Sequence, residues 1–161
     1  MRRALCAFTM IVLVVIPLSA QMNSSESGAS GQNASGTWVL NSSKSNFNGM
    51  PAPKDVTLVI DEQGDNLKYT VSGTGPDGKP IHESYDGTVN GKPVNVTGAQ
   101  TPATASFTRT ADGVAGQYQT EQGVMKLHSS VSPDGKTLTV EWTGTDKEGK
   151  PMSWTEVYDK K

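Results

Sequence analysis

The sequence predicts an all-β fold, an antiparallel up-and-down meander of about ten strands. Three observations indicate this fold: bulky apolar residues alternate with small or polar ones at a period of two, glycine-centred turns recur, and no segment keeps the 3.6-residue apolar stripe of an amphipathic helix. At 161 residues, the chain has the size of one domain with appendages.

The first twenty residues have the order of a secretory signal peptide. Arg2 and Arg3 precede an apolar run, 4–18, which ends in the small residues Ser19 and Ala20. The run is too short to span a bilayer, so we expect cleavage after residue 20, and a retained N-terminal anchor is the alternative. The mature protein would be secreted or periplasmic, and it would lack Cys6 and therefore any disulfide.

Loss of Arg2 and Arg3 leaves 12 of the 14 basic residues against 16 acidic ones, a net charge of −4. Such a chain is not suited to nucleic acid or to an anionic membrane surface, so we predict neither as a partner. We also expect a monomer with no transmembrane segment after cleavage. Residues 21–35 contain five serines and two glycines, with almost nothing to bury, and are predicted to form a flexible linker.

The barrel domain is predicted over 36–161. Trp38 and Val39 mark the first strand, and the alternating runs 56–60, 67–71 and 138–142 mark three others, because β-branched and aromatic residues favour strands. The complete set is predicted at 36–40, 55–61, 66–73, 80–86, 92–97, 104–110, 113–120, 124–131, 137–144 and 151–159.

Turn residues separate these strands, because glycine supplies a positive φ and Asp or Asn caps its own backbone. Typical signals are Gln63-Gly64-Asp65, Pro76-Asp77-Gly78 and Pro133-Asp134-Gly135. Ten strands could bury their apolar faces as two stacked sheets or as a closed barrel. Closure also removes exposed strand edges, so we predict a barrel.

Both ends of this domain resemble calycin barrels, the lipocalins and fatty-acid-binding proteins. Gly36-Thr37-Trp38 is similar to the Gly-x-Trp that opens the family, whose Trp closes the barrel floor. The segment 155–160 (TEVYDK) is similar to the last strand of fatty-acid-binding proteins, Thr-Arg-Val-Tyr-Glu-Lys. The pattern also resembles small lipocalin-like proteins exported by bacteria. The resemblance implies a barrel that holds a small molecule.

Two departures bear on that function. The connection 41–54 has no room for the family's two-helix lid. Where the family has the Arg of an Arg-x-Tyr carboxylate clamp, this chain has Glu156, which would repel a fatty-acid head group. We therefore expect neutral or cationic amphiphiles to be preferred over fatty acids, and Glu156→Arg to restore fatty-acid affinity.

Strand phase brings three charged residues to the predicted inner face, Glu83, Glu156 and Arg109, and Arg109 is the only arginine left after cleavage. Because buried charges need partners, we expect Arg109 to pair with Glu83 or Glu156, or to anchor a ligand. A purely structural ion pair, or a bulge that turns these groups outward, is the alternative. The candidate ligand-binding residues are Arg109, Glu83, Tyr85, Glu156, Tyr158, Phe107, Trp154, Trp142 and Tyr69.

The sequence contains few other motifs for catalysis or for binding a metal or a phosphate. His82 and His128 have no cysteine to join them, so no metal site is predicted. No serine lies in a nucleophile elbow, and the glycine-rich segment 73–78 joins two strands, where a phosphate loop would open a helix. We predict no catalytic residue and no cofactor. Paired carboxylates acting in glycoside cleavage are the remaining enzymatic alternative.

The predicted function is therefore a binding module that holds an apolar or amphipathic molecule inside the barrel. The alternative is a structural or protein-interaction component of the cell envelope, with a filled barrel and no ligand. Free volume separates the two, because a ligand site needs a continuous cavity of roughly 300 Å³ or more.

Overall fold

A computed structural model describes residues 31–146 and 148–161, and within them ten strands follow one another as an antiparallel meander. The strands are β1 (Gly36–Leu40), β2 (Lys54–Gln63), β3 (Asn66–Thr74), β4 (Pro80–Thr88), β5 (Val94–Val96), β6 (Ala103–Arg109), β7 (Gly113–Thr120), β8 (Gly123–Val131), β9 (Thr137–Thr145) and β10 (Pro151–Lys160). The predicted all-β meander is confirmed. The signal peptide and most of the linker, 1–30, lie outside the described residues.

The strands form one sheet that curls into a nearly closed barrel. β1 pairs with both β2 and β10, so the two chain ends meet in the middle of the sheet order β4-β3-β2-β1-β10-β9-β8-β7-β6-β5. The outer strands β4 and β5 then meet through two hydrogen bonds of 2.9 Å between the backbones of Ser84 and Thr97. The predicted barrel is confirmed, and the connection from β1 to β2 contains no helix, as expected.

The junction between β4 and β5 depends on Gly98. This glycine has a φ of 78°, and a Cβ atom there would overlap the backbone carbonyl oxygen of His82. Gly78 has nearly the same φ, 80°, but its Cβ would meet nothing within 4 Å. A side chain at either position would therefore strain the backbone, but only position 98 lacks space for a Cβ atom.

We expect Gly98→Ala to lower the free energy of unfolding by about 2–4 kcal/mol, because it adds a backbone clash to the strain of a left-handed alanine. Gly78→Ala should lower it by only about 1–2 kcal/mol, the strain alone. Urea denaturation of both variants measures the difference. Equal losses would show that the strand junction does not need the close approach at Gly98.

Alternate residues of each strand point into the barrel interior. In β2, for example, Val56, Leu58 and Glu62 are buried, whereas Val59 is 45% exposed on the outer face. Aromatic side chains cross the interior in contact with one another: Tyr69 stacks on Tyr85 at 5.5 Å between ring centroids. This alternation fixes which side chains face the cavity described below.

One end of the barrel is closed by Trp38 and by the residues just before β1. Trp38 is fully buried, and its indole Nε1 donates a hydrogen bond of 2.8 Å to the carbonyl of Ala34, which is itself buried. Asn33 and Ser35 donate side-chain hydrogen bonds to the backbone carbonyl of Glu62. Residues 33–35, which the sequence analysis placed in the linker, therefore contact the barrel.

Candidate ligand-binding cavity

The barrel encloses a cavity of about 250 Å³. Most of its wall is apolar, and its aliphatic part comes from both halves of the chain: Leu58, Ile60, Val71, Leu127, Leu138 and Val140. By itself the cavity is slightly smaller than the roughly 300 Å³ expected of a ligand site. The interior is therefore not completely filled by its own side chains.

A second cavity, of about 510 Å³, lies at the opposite end of the barrel from Trp38. The β3–β4 and β5–β6 loops form much of its wall, including Pro76 and Gln100. Ile81, Glu83 and Tyr118 line both cavities, so the two adjoin at these residues. We call this outer cavity, which is open to solvent between the loops, the mouth of the barrel.

At the closed end, Glu62 is a nearly fully buried carboxylate that the sequence analysis missed. It is 6% exposed, and its Oε2 accepts a 2.8 Å hydrogen bond from the backbone N–H of Ala34. Its phase with Leu58 and Ile60 in β2 is the signal that could have identified it. Burial of a charged group requires such a partner, which the segment before β1 provides.

Arg109 also lies at the closed end and pairs with Glu62, so the predicted pairing with Glu83 or Glu156 is wrong. Its Nη1 is 3.9 Å from Oε1 of Glu62, and its Nη2 donates a 3.1 Å hydrogen bond to the carbonyl of Gly64. The physical reason is position: Arg109 is the last residue of β6, beside the β2–β3 turn. Its side chain is 29% exposed and does not belong to the cavity wall.

Glu156 is held in the cavity wall by three side-chain donors. Its Oε1 accepts from the indole of Trp154 at 3.0 Å. Its Oε2 accepts from the indole of Trp142 at 3.3 Å and from the hydroxyl of Tyr158 at 2.9 Å. Burial, together with the charge of Glu156, raises the pKa of Tyr158 well above its ordinary value, so the phenol keeps its proton and remains a donor.

Glu83 has a different environment. Its carboxylate makes no hydrogen bond and no ion pair with any side chain in the described part of the chain. It lies where the interior cavity meets the mouth, and burial raises its pKa because the charged form is desolvated there. Of the three carboxylates in the described wall, Glu83 is therefore the one whose oxygens accept no hydrogen bond.

The hydroxyl groups of Tyr69 and Tyr118 are hydrogen-bonded to each other across the interior. Burial raises the pKa of both phenols, which therefore stay neutral at physiological pH. Tyr118 is not among the candidate residues predicted from sequence, and the structure adds it to the wall of both cavities.

The predicted site residues fall into three groups. Six line the interior cavity: Glu83, Glu156, Tyr69, Phe107, Trp142 and Tyr158. Two do not line the cavity but lie beside residues that do, on neighbouring strands: Tyr85 stacks on Tyr69, and Trp154 stacks on Trp142 at 5.3 Å. Arg109 is at the closed end. The role of each of these residues in ligand binding stays a prediction.

Residues 31–146 and 148–161 contain no group of three or more His, Cys, Asp or Glu side chains arranged to hold a metal ion. No helix among them has the length and hydrophobicity needed to cross a membrane. His82 is exposed, and Nε2 of His128 lies 3.1 Å from Oδ1 of Asp112.

Comparison with known proteins shows the fold but no close relative. No family model and no curated protein matches the chain. Among solved structures, it is similar to one described as the REP1-NXSQ fatty acid transporter, with a TM-score of 0.57 and 16% sequence identity over 79% of this chain and 95% of that chain. Together with the ten-stranded antiparallel meander, this similarity shows that the chain adopts a calycin-like β-barrel fold.

Proposed function

We propose that this protein binds an apolar or amphipathic small molecule inside the barrel. The observation that carries the proposal is the apolar interior cavity, about 250 Å³, which adjoins a mouth of about 510 Å³. Concave sites with an apolar wall and a few polar groups are typical of small-molecule binding. The wall here has that composition, with carboxylates and phenols among aliphatic and aromatic side chains.

Two further observations bear on the class of ligand and on where it would be met. A solved structure of similar fold is described as a fatty acid transporter, which makes lipid-like molecules the first class to test. The order of residues 1–20 favours export, so the ligand would be met outside the cytoplasm. A filled barrel would leave no such cavity between its strands.

The test compares a bulky substitution inside the cavity with the same substitution outside it. Val71 lines the cavity from β3, and Val59 lies on the outer face of the neighbouring strand β2. We expect Val71→Phe to weaken binding of the neutral dye N-phenylnaphthylamine by about tenfold or more, because the ring occupies volume that the dye needs.

Val59→Phe is the matched control and should leave dye affinity unchanged. Fluorescence titration measures both variants, and thermal unfolding checks that both are folded. If the wild-type protein binds neither the dye nor any of a set of neutral and charged amphiphiles, the proposal fails. Equal weakening by both substitutions would place the dye on the outer surface.

A further inference from the structure

The wall of the interior cavity, as far as the structure describes it, is acidic, and of its carboxylates only Glu62 has a basic partner, Arg109. Three of the residues that line the interior cavity, Glu62, Glu83 and Glu156, are acidic, and none is lysine or arginine. The mouth adds Asp77, whose Oδ2 is 3.1 Å from Nζ of Lys79. The field inside therefore comes from Glu83 and Glu156, whose carboxylates have no basic partner in the described part of the chain, and it favours positive charge.

The three carboxylates differ in the hydrogen-bond and ion-pair partners that they already have. Glu62 is engaged by the backbone of Ala34 and by Arg109. Both oxygens of Glu156 already accept hydrogen bonds from side chains. Glu83 has neither kind of partner, although it is half-buried at the junction of the two cavities. A desolvated carboxylate without a partner gains most from a bound cation.

The surroundings of Glu83 suit an amphipathic cation. Ile81 and Tyr118 border it at the junction, and the aliphatic wall begins beyond them. Tyr118 supplies an aromatic ring and a neutral hydroxyl, both of which interact favourably with an ammonium group. An ammonium at Glu83 would place its apolar substituent in the interior.

We propose that the ligand is an amphipathic amine, bound as its ammonium ion by the carboxylate of Glu83 with its apolar part in the barrel cavity. This inference rests on the proposed function and adds the chemical class of the ligand. It replaces Arg109 by Glu83 as the polar anchor, and it predicts selectivity opposite to that of a fatty-acid site.

The experiment uses three probes of one chain length: octylamine, octanol and octanoate. Each probe displaces N-phenylnaphthylamine from the protein without its predicted signal peptide, 1–20. The pH is about 8, because a carboxyl is then ionised and an alkyl ammonium is still charged. We expect octylamine to bind the wild-type protein about tenfold or more tighter than octanol, and octanoate to bind most weakly. Glu83→Gln should abolish the preference for octylamine and leave octanol affinity unchanged. Glu141→Gln, on the exposed outer face of β9, is the charge-matched control and should keep the preference.

Glu83→Lys gives a second, independent variant, and it should bind octanoate more tightly than octylamine. If wild-type protein binds octanol and octylamine equally, the ammonium site is overturned while the carrier function stands. If the amine preference survives in Glu83→Gln, Glu83 is not the anchor and the inference is overturned. If no probe and no dye binds, the proposed function itself fails.

Discussion

Replacing Trp38 by alanine is expected to lower the free energy of unfolding by about 3–5 kcal/mol, the range found for large aromatic truncations in packed cores. Trp38 is fully buried at the closed end of the barrel, and in the sheet it is opposite Leu58 on one side and Lys160 on the other. Its indole also donates to the carbonyl of Ala34. The truncation therefore leaves both a void and an unpaired carbonyl.

Val39→Ala provides the control on the same strand. Val39 is 37% exposed on the outer face, so its truncation should lower stability by no more than about 0.5 kcal/mol. Trp38→Phe separates the two contributions, because it keeps most of the ring volume but removes the N–H donor. Urea unfolding curves measure all three variants. A loss for Trp38→Ala within about 1 kcal/mol of that for Val39→Ala would show that the floor tolerates the void.

The strands and their order could be predicted from sequence because period-two alternation and turn residues are local signals. β1 and β7 begin and end at the predicted residues, and the other strands differ by one or two residues at one or both ends. The predicted 92–97 strand shortens to Val94–Val96, because Pro93 has no N–H and Gly98 begins the next turn. Barrel closure was predicted from the general argument that exposed strand edges are unfavourable. No local sequence pattern indicates that β4 and β5 are the strands that meet.

The site was less predictable, because strand phase gives the face of a residue but not its height along the barrel. Phase placed Glu83, Glu156 and Arg109 inside, yet Arg109 lies at the closed end and meets Glu62, which is distant in sequence. Likewise, the contacts of Ala34 with Trp38 and Glu62 depend on chain packing that linker composition does not reveal. Contacts of this kind, between residues distant in sequence, decide which carboxylates have partners.

Glu156→Arg is expected to lower the free energy of unfolding by about 2–4 kcal/mol, since several partly buried donors lose their acceptor. The resemblance to fatty-acid-binding proteins suggested the opposite, that arginine here would restore a carboxylate clamp. In this barrel the residue at 156 faces the indoles of Trp142 and Trp154 and the hydroxyl of Tyr158. A guanidinium has only donors, so it would meet donors without an acceptor between them.

Glu156→Gln should have an intermediate effect, because its amide oxygen can replace one carboxylate oxygen while its amide nitrogen cannot accept. Glu141→Arg is the matched control, since Glu141 lies on the exposed outer face of β9, and it should change stability by no more than about 0.5 kcal/mol. Urea unfolding gives the stabilities, and tryptophan emission reports on the two indoles that lose their acceptor. Titration with a fluorescent fatty acid completes the test. If Glu156→Arg is as stable as Glu141→Arg, the donors around position 156 can turn away from the guanidinium. If its fatty-acid affinity is also raised, one substitution is enough to rebuild here the carboxylate clamp of fatty-acid-binding proteins.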